Sequence, residues 1–309
     1  MTKIKTALVL GGGGARGLAH IGVLKALQEQ AIIPDVVTGT SMGALVGAVY
    51  AQHPDAEFVE HKFREFLNSE AFQSLGGVRF RQARGYEPDD LLHQISKEFK
   101  RRIVINLAAY RKSLLKSERL LNAINELLED TDIRETKIPF CCAAVDLITG
   151  KEIYFKQGSI RQAVVASSAI PGVMPPVETE PYQLVDGSVS ENFPIDAARE
   201  LGAEFFITSD VSVYNSNTQK LDNVVDILIR ANAISTAKLN LLSVQKSDII
   251  IHPLVEDILW SDFEKLDDLI KSGYAQALPL IHDIKRLRKK KAGIFYRLGL
   301  RIQKQMGCD

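Results

Sequence analysis

The chain has 309 residues, in which 38 lysines and arginines balance 38 aspartates and glutamates, with 46% hydrophobic and 25% charged residues. This ordinary globular composition excludes disordered, collagen-like and low-complexity architectures, and the length is enough for one large domain with a substantial core. Zero net charge excludes a wholly nucleic-acid-binding protein, so no nucleic-acid partner is expected.

Residues 5–10 form a short apolar run that ends in four glycines, the pattern of a buried strand. From Leu18 to Gln30 the spacing turns helical, with Ile21, Leu24 and Leu27 on one face. Asp35 to Thr38 reads as a second strand and Met42 to Gln52 as a second helix, so the chain opens as an α/β fold with parallel strands. Between about 55 and 135 the pattern becomes helical and charged, with a Gly/Arg loop at 76–88 and eight basic against two acidic residues from Lys97 to Arg119. The expectation is a helical insertion. Strand patterns return at 139–145, 153–155, 183–185, 205–209 and 248–252. Phe263 to Leu287 then reads as one long helix, bent at Pro279.

Cys141, Cys142 and Cys308 make neither a disulfide framework nor a zinc pattern, and the six histidines do not cluster, so no metal or cofactor is expected. The longest apolar stretch, Met42 to Ala51, is about half of the ~20 residues that a membrane span needs. The first apolar run is too short for a signal peptide. A cytoplasmic, disulfide-free protein is the expectation.

Two loops carry chemistry. Gly11-Gly12-Gly13-Gly14-Ala15-Arg16-Gly17 follows a strand and opens a helix, and from Gly12 it fits G-x-G-x-x-G. A dinucleotide site also wants an acid at the end of the second strand, whereas Asp35 stands at its beginning. A P-loop would need Gly-Lys-Ser/Thr, which is absent. What remains is a nest of backbone N–H groups at Gly12, Gly13 and Gly14, suited to an anion or a transient oxyanion. The second loop, Gly39-Thr40-Ser41-Met42-Gly43, is G-x-S-x-G between a strand and a helix, the context of a nucleophile elbow. Both loops follow neighbouring parallel strands, so the nest faces Ser41, and the Met42 N–H can add a donor.

A serine nucleophile needs a base. Downstream, Asp186 stands at a strand end and is followed by Gly187, after a segment from Ala166 to Val177 that could wall a site. These motifs, in this order over residues 5 to about 210, resemble the patatin-like phospholipase family, in particular its bacterial branch related to neuropathy target esterase. The resemblance implies a three-layer α/β/α fold with a mostly parallel sheet. It also implies a Ser–Asp dyad that hydrolyses lipid acyl esters through an acyl-enzyme, with Ser41 as nucleophile, Asp186 as base and Gly12 to Gly14 as the oxyanion hole. Arg16 would shape that hole. Ser188 departs from the Asp-Gly-Gly or Asp-Gly-Ala usual in the family. A rival triad of Ser41, Asp186 and His252 fits the chain order of α/β-hydrolases, but position 41 leaves room for only two preceding strands. His20 reads as a packing or surface residue. The alternative from another class is a non-catalytic binder of lipid or protein with the same fold.

From 285 to 309 the chain carries nine basic residues and one acid, leaving 29 basic against 37 acidic residues in 1–284. Phe295, Leu298, Ile302 and Met306 recur at helical spacing. The expectation is a hydrolase domain over 1–284 and a basic amphipathic tail over 285–309. That tail suits peripheral contact with an anionic membrane, and equally a helix packed on the acidic body.

Overall fold

The computed structural model of the chain describes residues 4–77, 117–214 and 224–293. Eight strands form one sheet: β1 (Thr6–Leu10), β2 (Val36–Gly39), β3 (Phe140–Asp146), β4 (Glu152–Phe155), β5 (Val177–Thr179), β6 (Tyr182–Asp186), β7 (Phe205–Ser209) and β8 (Ile249–Ile251). Their order is β5-β6-β3-β2-β1-β7-β8, with β4 also paired to β3. The central strands β3, β2, β1, β7 and β8 are parallel, as the opening pattern implies. A hairpin through β5 and β6, antiparallel to β3, adds a strand that the sequence pattern did not announce.

Alternate residues of the central strands feed two separate cores. Leu8, Leu10, Val37, Phe205 and Ile207 point to the larger one, built with helices α1 (Ala19–Glu29), α2 (Met42–Gln52) and α3 (Ala56–Leu67). Ala7, Val9, Val36 and Phe206 point to the other, with Phe193 and Ile195. That alternation makes the α/β/α layering. Helix α4 (Ser117–Leu127) also packs into the larger core through Ala123, Ile124 and Leu127. With α3 it forms the described part of the expected insertion, while 78–116, including most of the Gly/Arg loop and of the basic run, lie outside the described residues.

Helix α5 (Ile160–Ser167) packs on β3, and α6 (Ile195–Glu200) covers β1 and β2. Helix α7 spans Val224–Val244. The helix expected over 263–287 is instead interrupted. Helices α8 (Leu266–Ala277) and α9 (Ile281–Lys291) are joined by a 3-10 turn at Leu278–Leu280, because Pro279 has no N–H to continue the ladder. Helix α9 buries Ile281 and Ile284 and continues to Lys291, so the basic segment begins inside a docked helix. Residues 294–309 of the expected tail lie outside the described residues. Lys291 donates to the Glu204 carbonyl (2.8 Å) and to Asp248 (2.6 Å), the residues just before β7 and β8. Cys141 and Cys142 are buried free thiols in β3, and burial pushes Cys141 up to about 12.

Helices α1 and α8 cross at two glycines. A Cβ on Gly22 would stand 1.9 Å from the Ile270 carbonyl oxygen, and one on Gly273 1.9 Å from that of Ala19. Both obstacles are backbone, so a methyl group there forces the helices apart. Gly22→Ala is expected to cost about 3 kcal/mol, seen by calorimetry as a fall in Tm of roughly 6–12 °C. An unchanged Tm would mean that the helices do not cross this closely.

Candidate active site

Three strands set the geometry. Gly39, at the end of β2, pairs with Cys142 of β3, and Asp186, at the end of β6, pairs with Ala144 two residues further along. Strand β4 pairs with both Cys142 and Ala144, so it occupies the opposite edge of β3. β2 and β6 therefore share one edge of β3 and point at each other end to end. Ser41 follows the first and Asp186 closes the second.

At the end of β2 the chain turns sharply. Ser41 has φ 55° and ψ −124°, a backbone conformation that costs a serine about 1–3 kcal/mol and persists only where its surroundings enforce it. The enforcement is visible. Thr40 N–H donates to the Leu10 carbonyl (3.1 Å), Gly43 N–H to the Thr40 carbonyl (2.9 Å), and Ser41 N–H to Ser167 Oγ (3.0 Å). Gly43 is indispensable, because a Cβ there would lie 2.2 Å from the Leu10 carbonyl oxygen. Ser167 comes from the Ala166–Val177 segment, which thus fastens the nucleophile's backbone as well as walling the site.

Asp186 is 1% exposed, and burial pushes its carboxyl pKa up, opposed by the Ser41 hydroxyl and by the amide and hydroxyl of Ser188. The Ser188 N–H lies 2.9 Å from Asp186 Oδ1, so the unusual third residue keeps the turn and adds a hydroxyl to the carboxylate. Gly187 lets the turn reach across to Thr40, whose Cγ2 would be 3.0 Å from a Cβ there.

The glycine loop lies against this pair, with the Cβ position of Gly12 3.1 Å from Ser41 Cβ. The Gly12 N–H is already engaged by Asn192 Oδ1 (2.8 Å), whereas among the described residues no acceptor takes the N–H of Gly13, Gly14 or Met42. Of the three expected glycines, then, Gly13 and Gly14 have their donors free and Gly12 anchors the loop. His20, buried completely, bridges Ser209 Oγ and the Gly11 carbonyl at 2.8 Å each. It is a packing residue that clamps the loop. Asn192, Ser167 and Trp260, whose carbonyl accepts from Ala15 N–H (2.7 Å), complete the support.

His252 stands elsewhere. It follows β8, which β7 and β1 separate from β2, about 14 Å at ~4.8 Å per strand. Its Nδ1 is 3.6 Å from Asp210 and its Nε2 3.5 Å from Glu256. Hydrogen bonding to Asp210 raises its pKa. The triad of Ser41, Asp186 and His252 is not assembled.

Two cavities meet at Ser41. One, of about 120 Å³, is apolar and runs past Met42, Leu45, Val173 and Met174 toward Phe66, Phe72 and Ile124. The other, of about 420 Å³, holds Asp186, Gly12, Gly13, Asn192, Ser212, Asn240 and Arg16. Among the described residues the Arg16 Nε is buried without a partner, and desolvation lowers the Arg16 pKa. Among the described residues no group of three or more histidines, cysteines or acids could hold a metal ion.

Residues 8–199 match the family model described as patatin-like phospholipase. Patatin-like phospholipase domain-containing protein 6 of Mus musculus is 32% identical over 207 residues, covering 66% of this chain and 13% of that protein. Lysophospholipase nte1 of Aspergillus fumigatus is 30% identical over 69% of this chain and 12% of its own length. An NTE family protein of Mycobacterium bovis is 30% identical over 66% of this chain and 48% of its own. The chain thus spans less than half the length of each of these relatives.

The clamp on the glycine loop is expected to respond to pH. Burial lowers the His20 pKa from 6.5 to about 4, so the neutral ring stabilises the fold fully above the unfolded value and progressively less as pH falls from 6.5 toward 4. Between pH 7.5 and 5 wild type is expected to lose on the order of 2 kcal/mol more than His20→Gln in urea titrations. Equal losses would show that His20 is not buried neutral.

Proposed function

The chain belongs to the patatin-like phospholipase family, and on that premise we propose that it is a serine acyl-ester hydrolase acting on lipids through Ser41 and Asp186. The observation that carries this reading is the end-to-end meeting of β2 and β6. The reading is supported by a buried serine on a strained turn after β2, a buried aspartate at the facing end of β6, and Gly13 and Gly14 N–H groups that have no acceptor among the described residues.

Asp186 accepts the Ser41 proton as Oγ attacks the acyl carbonyl carbon. The resulting oxyanion is received by the N–H groups of Gly13 and Gly14, with Met42 alongside. Collapse of the tetrahedral intermediate breaks the ester bond, and the leaving alcohol takes the proton back from Asp186. Water then attacks the acyl-serine, Asp186 again serving as base, and the fatty acid departs. No step calls for a metal or cofactor. A solvated aspartate is a weak base at neutral pH. Burial strengthens this one, and the Ser41 and Ser188 hydroxyls keep it ionised enough to act.

The two cavities suit the two halves of such a substrate. The apolar one takes the acyl chain, and the polar one takes the alcohol side, where the unpartnered Arg16 favours an anionic headgroup. This agrees with the lysophospholipase name of the Aspergillus relative. The reading includes a cytoplasmic location and peripheral contact of 285–309 with anionic lipid, supported by the exposed Lys285, Arg286, Lys289 and Lys290 of α9. No helix among the described residues is long and apolar enough to cross a membrane.

A fluorophosphonate probe is expected to label wild type and not Ser41→Ala. Equal labelling would refute the nucleophile, and a wild type that neither labels nor turns over short p-nitrophenyl esters would favour a non-catalytic binder. Asp186→Asn should lower kcat/KM by about 10³-fold with the fold intact, while His252→Ala leaves turnover nearly unchanged. The reverse ranking would restore the triad. The wild-type rate should fall as pH drops through the raised Asp186 pKa, because the base is then protonated.

A further inference from the structure

The apolar cavity is assembled from two sources. Its near half, around Ser41, comes from the hydrolase core: Met42, Leu45, Ile170, Val173 and Met174. The rest comes from the expected insertion: Phe66 of α3, Phe72 and Leu75 after it, and Leu120, Ala123 and Ile124 of α4. The catalytic elements therefore do not by themselves determine how deep the cavity is.

Phe72 is held between two rings. It is 6% exposed and sits edge-on between two other rings, 5.4 Å from Phe66 and 5.1 Å from Phe263, at 71° to each. Such edge-to-face contacts favour one ring orientation over others. Phe263 lies just beyond Trp260, which backs the glycine loop, so this aromatic stack ties the insertion to the support of the oxyanion donors. Ala123, also in the lining, is 2% exposed and contributes only a methyl group. The cavity volume of about 120 Å³ is a little below the ~150 Å³ of a cavity that holds one benzene.

We propose that the Phe66–Phe72–Phe263 stack is the end wall that sets acyl-chain length, with Phe72 as the limiting residue and Ala123 as the position that leaves the chain its width. The proposal rests on the acyl-ester reading above. Each methylene enclosed by an apolar wall contributes to transition-state binding, and the first methylene that meets the wall stops contributing. Wild-type kcat/KM therefore rises with chain length to a break and then levels or falls. Truncating Phe72 moves that break to longer chains, and enlarging Ala123 moves it to shorter ones.

The test is a series of p-nitrophenyl esters from butyrate to dodecanoate. Phe72→Ala should raise the dodecanoate-to-butyrate ratio of kcat/KM by about tenfold, and Ala123→Phe should lower it by a similar factor. Phe72→Leu and Ala123→Leu are gentler versions that give the same signs if the larger changes impair folding. Labelling of Ser41 by a methyl fluorophosphonate reports whether each variant keeps its nucleophile. A ratio that does not move in folded, labelled variants overturns the end wall and leaves the hydrolase reading standing. Loss of Ser41-dependent turnover in wild type overturns the hydrolase reading itself.

Discussion

The structure turns on one shared edge. Because β4 takes one side of β3, the other side must serve both β2 and β6, and it can do so only if they run toward each other and stop. On β3 only Ala143 lies between their last pairing positions, so the chain leaving β2 has to bend out of the sheet at once. The strained serine, the side-chain-free Gly43 and the tight turn after Asp186 all follow from that shortage of space. Strain at Ser41 is therefore a consequence of sheet topology, held by the packing of β1 and α2 around it.

The polar groups around this point are balanced against burial one by one. Asp186 loses water, which raises its pKa, but keeps the Ser188 N–H on its Oδ1, so it is neither a free acid nor a fixed salt-bridge partner. His20 loses water and stays neutral, which lets it bridge a hydroxyl and a carbonyl without bringing a charge against the glycine loop. Asn192 uses its Oδ1 to tie down Gly12 and its Nδ2 to reach Ser212. A site with one buried base and directed N–H groups is organised around charge that appears only during reaction.

How much of this is legible in the sequence depends on how locally each feature is encoded. The strands β1, β2, β3 and β7 are short runs of buried residues whose flanking glycines and helix patterns announce them. The elbow and the glycine loop are equally local, because a backbone that must pass within a van der Waals contact of another can be built only from glycine. The supports are not local. Asn192 meets Gly12 across 180 residues, and Ser167 meets Ser41 across 126, so nothing near either residue marks it as part of the site. Helix α7 has no clean apolar stripe, with Ile227, Leu228, Ile234, Leu239 and Leu242 all exposed, and its period is correspondingly weak. Pro279 is a different case. Its effect is local and legible, but whether it bends a helix or splits it into two depends on what the flanking turns pack against.

Lys291 is fastened to the residues that begin β7 and β8, while Ser41 lies beyond the finish of β2, which runs in the same direction. The root of the basic segment and the mouth of the cleft therefore occupy opposite poles of the sheet, separated by the length of a strand, ~17 Å for five residues, plus its loops. The two do not share a surface. A charged layer gripped only at that root would act as a mooring on the stern of the molecule, leaving the cleft to point away from it.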